Sequence, residues 1–424
     1  MKITKLSLVA IAAMTLTTGA MAEITTELSG NAKIWYETAD SDGGVDGGLF
    51  HKASTNGFSA GDAAVSVEAK GTAGAFGYGL KYTVVDTLGL ENNLVSTRRQ
   101  PATGSTAAEQ LKTAHWAEKA FITYQMGNTT AKIGRQHLNT PLAFTEKWNI
   151  SANSFDAAVL INSDIENVTL IGAYVGKGNG AAAVPGLVGF STVAPGGEFT
   201  SYVDSGAYAF GALVKPSKEL GINAWYYNVQ NIADAAWLDA NYAVSGVNLG
   251  AIYAQMMPKG ALNGNDDTSA FALKAASKVG PVSLLAAYSS VSEDGILPVG
   301  NTATGFKKTK LPTAGIYNDG VIVAAPGANT FKIKAAMPVG PVKLTAQYIS
   351  TTNDNDDGTV RPVTAFGGAF GKEVDEIDLV AATKVADVNL KAIFMNRTFG
   401  TNANDGRVVF SDTNHIRIIA GIDF

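Results

Sequence analysis

Gly57-Phe58-Ser59-Ala60-Gly61 has the G-x-S-x-G spacing of a nucleophile elbow, where a serine on a sharp strand-to-helix turn is activated by histidine and carboxylate partners. No helical spacing follows it. Ala63, Val65, Val67 and Ala69 alternate as a strand instead, so Ser59 reads as a strand residue. Gly176, Gly178 and Gly180 have the spacing of a phosphate-cradling loop, but in a chain with 46 glycines such runs read as turns. Asn353-Asp354-Asn355-Asp356-Asp357-Gly358 opens like a calcium loop, yet Thr364 stands where a bidentate glutamate should close the site. A solvated loop is expected there, with weak divalent cation (Ca) binding as the alternative. His51, His115, His137 and His415 lack metal-ligand spacing, and the chain has no cysteine. A lipid-hydrolysing barrel would need a Ser–His pair on its outer face, with His415 as the strand-borne candidate near the end. No enzyme, no metal site and no cofactor is expected.

The remaining chemistry is that of charges on strands, and the strands themselves come first. Charged residues are 16% of 424, well under the roughly 25% of soluble domains. From Glu23 onward, segments of about ten residues alternate with period two, the spacing of a strand with one apolar and one polar face. Ile24, Thr26, Leu28, Gly30, Ala32, Ile34 and Tyr36 share one face against Glu27, Ser29, Asn31, Lys33, Trp35 and Glu37. About eighteen such segments occur, the first near 24–38 and the last at 413–424. Short links such as Gly127-Asn128-Thr129, Val279-Gly280-Pro281, Val339-Gly340-Pro341 and Val385-Ala386-Asp387 take turns with long ones near 39–60, 87–116, 177–204, 292–327, 352–373 and 399–412. A membrane-spanning strand needs only about ten residues, and this loop asymmetry is that of outer-membrane barrels. The fold expected is all-β, a transmembrane antiparallel β-barrel.

Residues 1–22 read as an export signal: Lys2 and Lys5, an apolar stretch Leu6 to Leu16, and Ala20-Met21-Ala22 as an A-x-A cleavage site. That leaves 23–424 as the barrel. Removing the signal takes the formal net charge from −5 to −7, which excludes a nucleic-acid partner. Val279-Gly280-Pro281-Val282 returns as Val339-Gly340-Pro341-Val342, one hairpin turn used twice. The final segment puts Ile416, Ile418, Ala420, Ile422 and Phe424 on one face, and an amphipathic strand ending in Phe424 is expected to serve as the assembly signal.

A charge on the lipid face costs about 2–4 kcal/mol at the midplane, so charges within strands should point inward. Parity then places Lys332, Lys334, Lys343, Lys384, Lys391, Arg397 and Arg417 on the lumen wall, with Glu376 and Asp378 as acidic neighbours. Arg135 shares the register of Ile133 and its parity is ambiguous. Glu146, Lys147, Trp148 and Asn149 lie in the link between the fifth and sixth candidate strands, near residues 138–154. A basic wall facing Glu146 would give a transverse field. The alternative is that these lysines only solvate the wall.

The whole chain resembles the major outer-membrane porins of the Campylobacter type, related to the OprD-like porins. The resemblance rests on Met1-Lys2-Ile3-Thr4-Lys5-Leu6-Ser7-Leu8-Val9-Ala10, on Lys132-Ile133-Gly134-Arg135-Gln136-His137-Leu138-Asn139-Thr140-Pro141, and on Phe424. It implies an eighteen-stranded barrel with its third outer loop, by strand count residues 138–154, folded inward so that Glu146, Lys147, Trp148 and Asn149 stand at the constriction. It also implies a homotrimer in outer-membrane lipid, placed there by the barrel-assembly machinery, that passes ions and small hydrophilic solutes by diffusion. A substrate-selective OprD-like channel and an adhesive or structural barrel are the competing functions.

Overall fold

The alternation seen in the sequence becomes a wall of strands. The computed structural model describes residues 24–41, 48–50, 58–90, 113–180, 193, 197–201, 205–353, 373–400 and 412–424. The proposed export signal, the calcium-like loop after Asn353, His51 and most of the long outer links other than 292–327 lie outside them. Eighteen strands make the wall. In order they are β1 (Ile24–Ser41), β2 (Phe58–Ala73), β3 (Phe76–Thr87), β4 (Ala114–Met126), β5 (Thr129–Gln136), β6 (Phe155–Asn162), β7 (Val168–Gly178), β8 (Ala207–Val214) and β9 (Leu220–Val229). The second half is β10 (Ala233–Val244), β11 (Val247–Pro258), β12 (Thr268–Val279), β13 (Val282–Val291), β14 (Ala328–Val339), β15 (Val342–Asn353), β16 (Glu373–Val385), β17 (Val388–Phe399) and β18 (Thr413–Asp423). A two-residue strand, Thr200–Ser201, pairs with the end of β7.

Each strand pairs antiparallel with its neighbours, and β1 closes the ring. It pairs with β2 from Ile24↔Ala73 to Ala39↔Phe58 and with β18 from Asn31↔Asp423 to Ser41↔Thr413. Closure leaves no sheet edge. The repeated Val-Gly-Pro-Val is the same two-residue turn used twice, with Gly280 and Gly340 both at φ +57°, a left-handed conformation that glycine adopts without steric cost. One outer connection is short: only Gln230, Asn231 and Ile232 link β9 to β10.

The outer face is an exposed apolar band. Phe331 is 45% exposed and Ile333 47%, while Lys332 between them is 7% exposed. Aromatic rings gather at two levels. Phe76 and Tyr124 meet near one end of the strands with ring centres 4.8 Å apart; Tyr174 and Tyr208, at 5.1 Å, and Phe271 and Tyr288, at 6.3 Å, lie toward the other. Paired girdles of this kind suit the two interfaces of a bilayer, where an aromatic ring finds an apolar bed and a polar rim. No helix among the described residues is long and apolar enough to cross a membrane, so crossing falls to the strands.

The inner face departs from the simple wet expectation. Toward the loop ends of β6 to β14 it is built of small apolar residues, among them Ala173, Ala207, Ala235, Ala254, Ala270 and Ala328, all buried in one cluster with loop residues Leu142, Leu297, Val299, Phe306 and Val323. The barrel has a core because loops fill it. Alanine suits such a wall: it is apolar, and its small volume leaves room for a loop to approach the strand backbone.

At the seam, Gly30 and Phe424 exchange backbone hydrogen bonds of 2.6 and 2.9 Å, and a Cβ on Gly30 would come within 2.4 Å of the Phe424 ring. Gly30→Val should therefore displace the ring and cost about 1–3 kcal/mol of stability. The check is a lower urea midpoint for loss of the folded band on unheated gels; an unchanged midpoint would mean the ring is not seated there.

Candidate functional site

Two loops meet inside the barrel, and local sequence explains how each enters. Gly134 in β5 has φ +119°, and a Cβ there would strike the Ala120 carbonyl at 2.4 Å. Only glycine fits this bend. Past it, the Gln136 amide donates to the Ala157 carbonyl at 3.0 Å, and the chain turns inward through 137–154. His137 Nε2 lies 3.1 Å from Glu118 Oε1, which also receives Lys81 at 2.8 Å. Burial pulls the His137 pKa below the ordinary imidazole value, with the Glu118 hydrogen bond and charge opposing.

The second loop is 292–327, with a 3-10 turn at Thr302–Thr304 and one short helix, α1 (Gly320–Val323). Asn301 binds the first loop like a paired strand residue: its Oδ1 accepts from Phe144 N at 3.1 Å, and its Nδ2 donates to Phe144 O at 2.8 Å and to Glu146 Oε1 at 2.9 Å. Thr302 donates to the Leu142 carbonyl at 2.7 Å. Glu146 also accepts from Thr304 and, at 2.7 Å, from Trp148 Nε1. Burial raises the Glu146 pKa despite these donors and the nearby Lys308. Glu146 is a clamp between loops, 3% exposed. It does not present a charge to water.

A second clamp ties 292–327 to the strands. Glu376 on β16 accepts from the backbone N–H groups of Ile316, Tyr317 and Asn318, at 2.6 Å, 3.1 Å and 2.6 Å. The Tyr317 hydroxyl donates to Glu37 on β1, which also receives Arg417 Nε on β18 at 2.8 Å. Arg397 lies 5.6 Å from the Tyr317 ring. Within the loop, Asp319 caps α1, donated to by Gly320 N at 2.8 Å, and accepts from Lys308 Nζ at 2.9 Å. Burial raises the Asp319 pKa, and Lys308 opposes it.

The residues singled out from sequence thus fall into two groups. Glu146, Glu376 and Arg417 hold loops in place, and Lys332 joins them by donating to the Ala314 carbonyl; Arg397 lies against the Tyr317 ring, and Asn149 is buried in the first loop with its Oδ1 accepting from Ile150 N. Asp378 accepts from Gln347 at 2.5 Å. The other group is open. Among the described residues no carboxylate pairs with Lys334, Lys343, Lys384 or Lys391, and Lys343 and Lys391 flank Ala382 in register across β15, β16 and β17. Lys147 is exposed beside the half-buried Trp148. Arg135 keeps the parity of Ile133 and pairs with Asp156 on β6 at 2.8 Å, with the Phe199 ring over its guanidinium. By its spacing 292–327 is one of the long outer links, yet it enters the barrel. Its signal was composition: Val321-Ile322-Val323-Ala324-Ala325 is too apolar for a water-exposed link.

Comparison with known proteins agrees with this geometry. No curated protein sequence matches the chain. The profile of the outer membrane porin, OprD family, matches residues 46–318. Among solved structures, Pseudomonas aeruginosa OccK9 (OpdG) is similar at TM-score 0.69 and 14% identity, covering 94% of this chain and 98% of that one. Pseudomonas aeruginosa OprD is similar at TM-score 0.68 and 15% identity, over 94% and 95%. Acinetobacter baumannii OccAB4 is similar at TM-score 0.67 and 12% identity, over 96% and 99%. These solved structures share the fold, a closed barrel of eighteen strands with almost no helix, and the profile match carries the family. The chain belongs to the OprD family of outer membrane porins.

Proposed function

We propose that this porin forms a water-filled diffusion channel biased toward anions and anionic solutes. The observation that carries this reading is the unequal fate of its inner charges. Glu37, Glu118, Glu146 and Glu376 are taken up in clamps, whereas Lys334, Lys343, Lys384 and Lys391 have no carboxylate partner among the described residues. An ammonium group on a water-filled wall keeps its field toward the lumen and favours passage of the opposite sign. Because Glu146 is buried, the transverse field expected from sequence loses its negative pole, and the basic wall is left to set the sign.

Several finer readings belong with this one as proposals. Export through the periplasm rests on residues 1–22, recognition by the barrel-assembly machinery on Phe424, and the homotrimer and Campylobacter-type placement on the resemblance alone. A substrate-selective channel is the second functional reading, favoured by two loops that pack together inside the wall and narrow the route.

Purified protein in a planar bilayer under a potassium chloride gradient should give a reversal potential of anion-selective sign, and the paired change Lys343→Gln with Lys391→Gln should move it toward the cation side. A cation-selective wild type, or an unmoved potential in the variant, would overturn the reading. Arg397 and Arg417 are unsuitable probes because both lie against Tyr317 of the second loop. Glu376→Ala tests that loop directly: leaving the N–H groups of 316–318 without their acceptor should cost about 1–3 kcal/mol for each one left buried. Noisier single-channel current and faster proteolysis within 292–327 are expected.

A further inference from the structure

The two inward loops line a cavity of about 510 Å³ beside the Glu146 clamp. Asn139, Phe144, Lys147 and Trp148 line it from the first loop, Lys308 and Lys310 from the second. Its charges are lopsided. Lys308 is paired with Asp319 at 2.9 Å, and the only carboxyl on the lining, Glu146, is turned into the loop contact, where Asn301, Thr304 and Trp148 donate to it. Lys147 and Lys310 remain. Among the described residues neither has a carboxylate partner; Lys310 Nζ donates to Asn139 Oδ1 at 2.8 Å and sits 4.6 Å from the centre of the Phe144 ring.

Lys147 and Lys310 line this one cavity from separate loops. Burial, then the charge of Lys147, lowers the pKa of Lys310. Two like charges on separate loops, with aromatic rings beside them and no carboxylate partner among the described residues, cost free energy until an anion meets them. A ligand bearing two negative charges relieves that cost, and a singly charged one relieves only part of it.

We propose that this cavity is a binding site for a doubly charged oxyanion of the phosphate class, held by Lys147 from one loop and Lys310 from the other, with Asn139 positioning Lys310. The proposal rests on the channel reading for its biological use but not for its test. A phosphate oxygen accepts from each ammonium group, and such charge-assisted bonds are short and strong. Because the two lysines come from different loops, the bound anion also bridges them and restrains the loops against each other.

Calorimetric titration of the full chain, folded in detergent, with inorganic phosphate, glycerol phosphate and acetate at constant ionic strength tests this without requiring conduction. At about pH 8 a phosphate monoester carries close to two charges. Inorganic phosphate should bind about tenfold more tightly than acetate, and Lys147→Gln and Lys310→Gln should each lose about tenfold in phosphate affinity. Lys147→Arg should retain binding, and Lys215→Gln, in a link between β8 and β9, should change nothing. Tighter binding of glycerol phosphate than of the free ion would assign the site to an ester. Equal binding of acetate and phosphate, or undiminished phosphate binding in the double glutamine variant, would overturn the proposal. Channel recordings on the same preparations judge the porin reading separately.

Discussion

In hydrocarbon an unsatisfied backbone amide costs several kcal/mol, so the pairing of β1 with both β2 and β18 is the constraint on which this fold depends. Without it two strand edges would face lipid. With it, side chains are free to specialise by face: aliphatic residues and two levels of aromatic rings outside, everything else within. Gly30 and Phe424 belong to the same seam, where a residue with no side chain makes room for a ring.

Closure also creates an interior that must be furnished. The alanine-rich wall of β6 to β14 and the apolar residues of 137–154 and 292–327 make a core inside the ring, and buried polar groups hold the loops in register. Such groups are costly unless satisfied, and here they are used in sets: Asn301 with Phe144 and Glu146, Glu376 with three successive N–H groups, Arg417 with Glu37 and Tyr317. Acids are consumed by this work more than lysines are. The anion bias proposed for the lumen would then follow from the structural need to anchor loops.

The wall was legible in the sequence because its information is local. Phe331-Lys332-Ile333 states its faces in three residues, and Val-Gly-Pro-Val states its turn in four. The inward course of 138–154 was expected from the resemblance, and Gly134 supplies its physical reason. The interior was not legible in the same way. Asn301 reaches Phe144 across 157 residues and Glu376 reaches Tyr317 across 59, so nothing near Glu146 announces that its carboxyl will be covered. A glutamate in a loop reads as a solvated charge until its distant partner is known. Arg397 and Arg417 were read by parity as wall charges for the same reason, and their engagement with Tyr317 and Glu37 depends on a loop that enters from far along the chain.

A working channel requires that water and ions still pass beside the loops packed inside the ring. Stepwise current in a planar lipid bilayer, after addition of the purified, folded protein to symmetric potassium chloride, measures this most directly. Discrete, repeatable conductance steps are the predicted result. A bilayer that stays silent although folded barrels have inserted would contradict the account and point to a plugged structural or adhesive barrel.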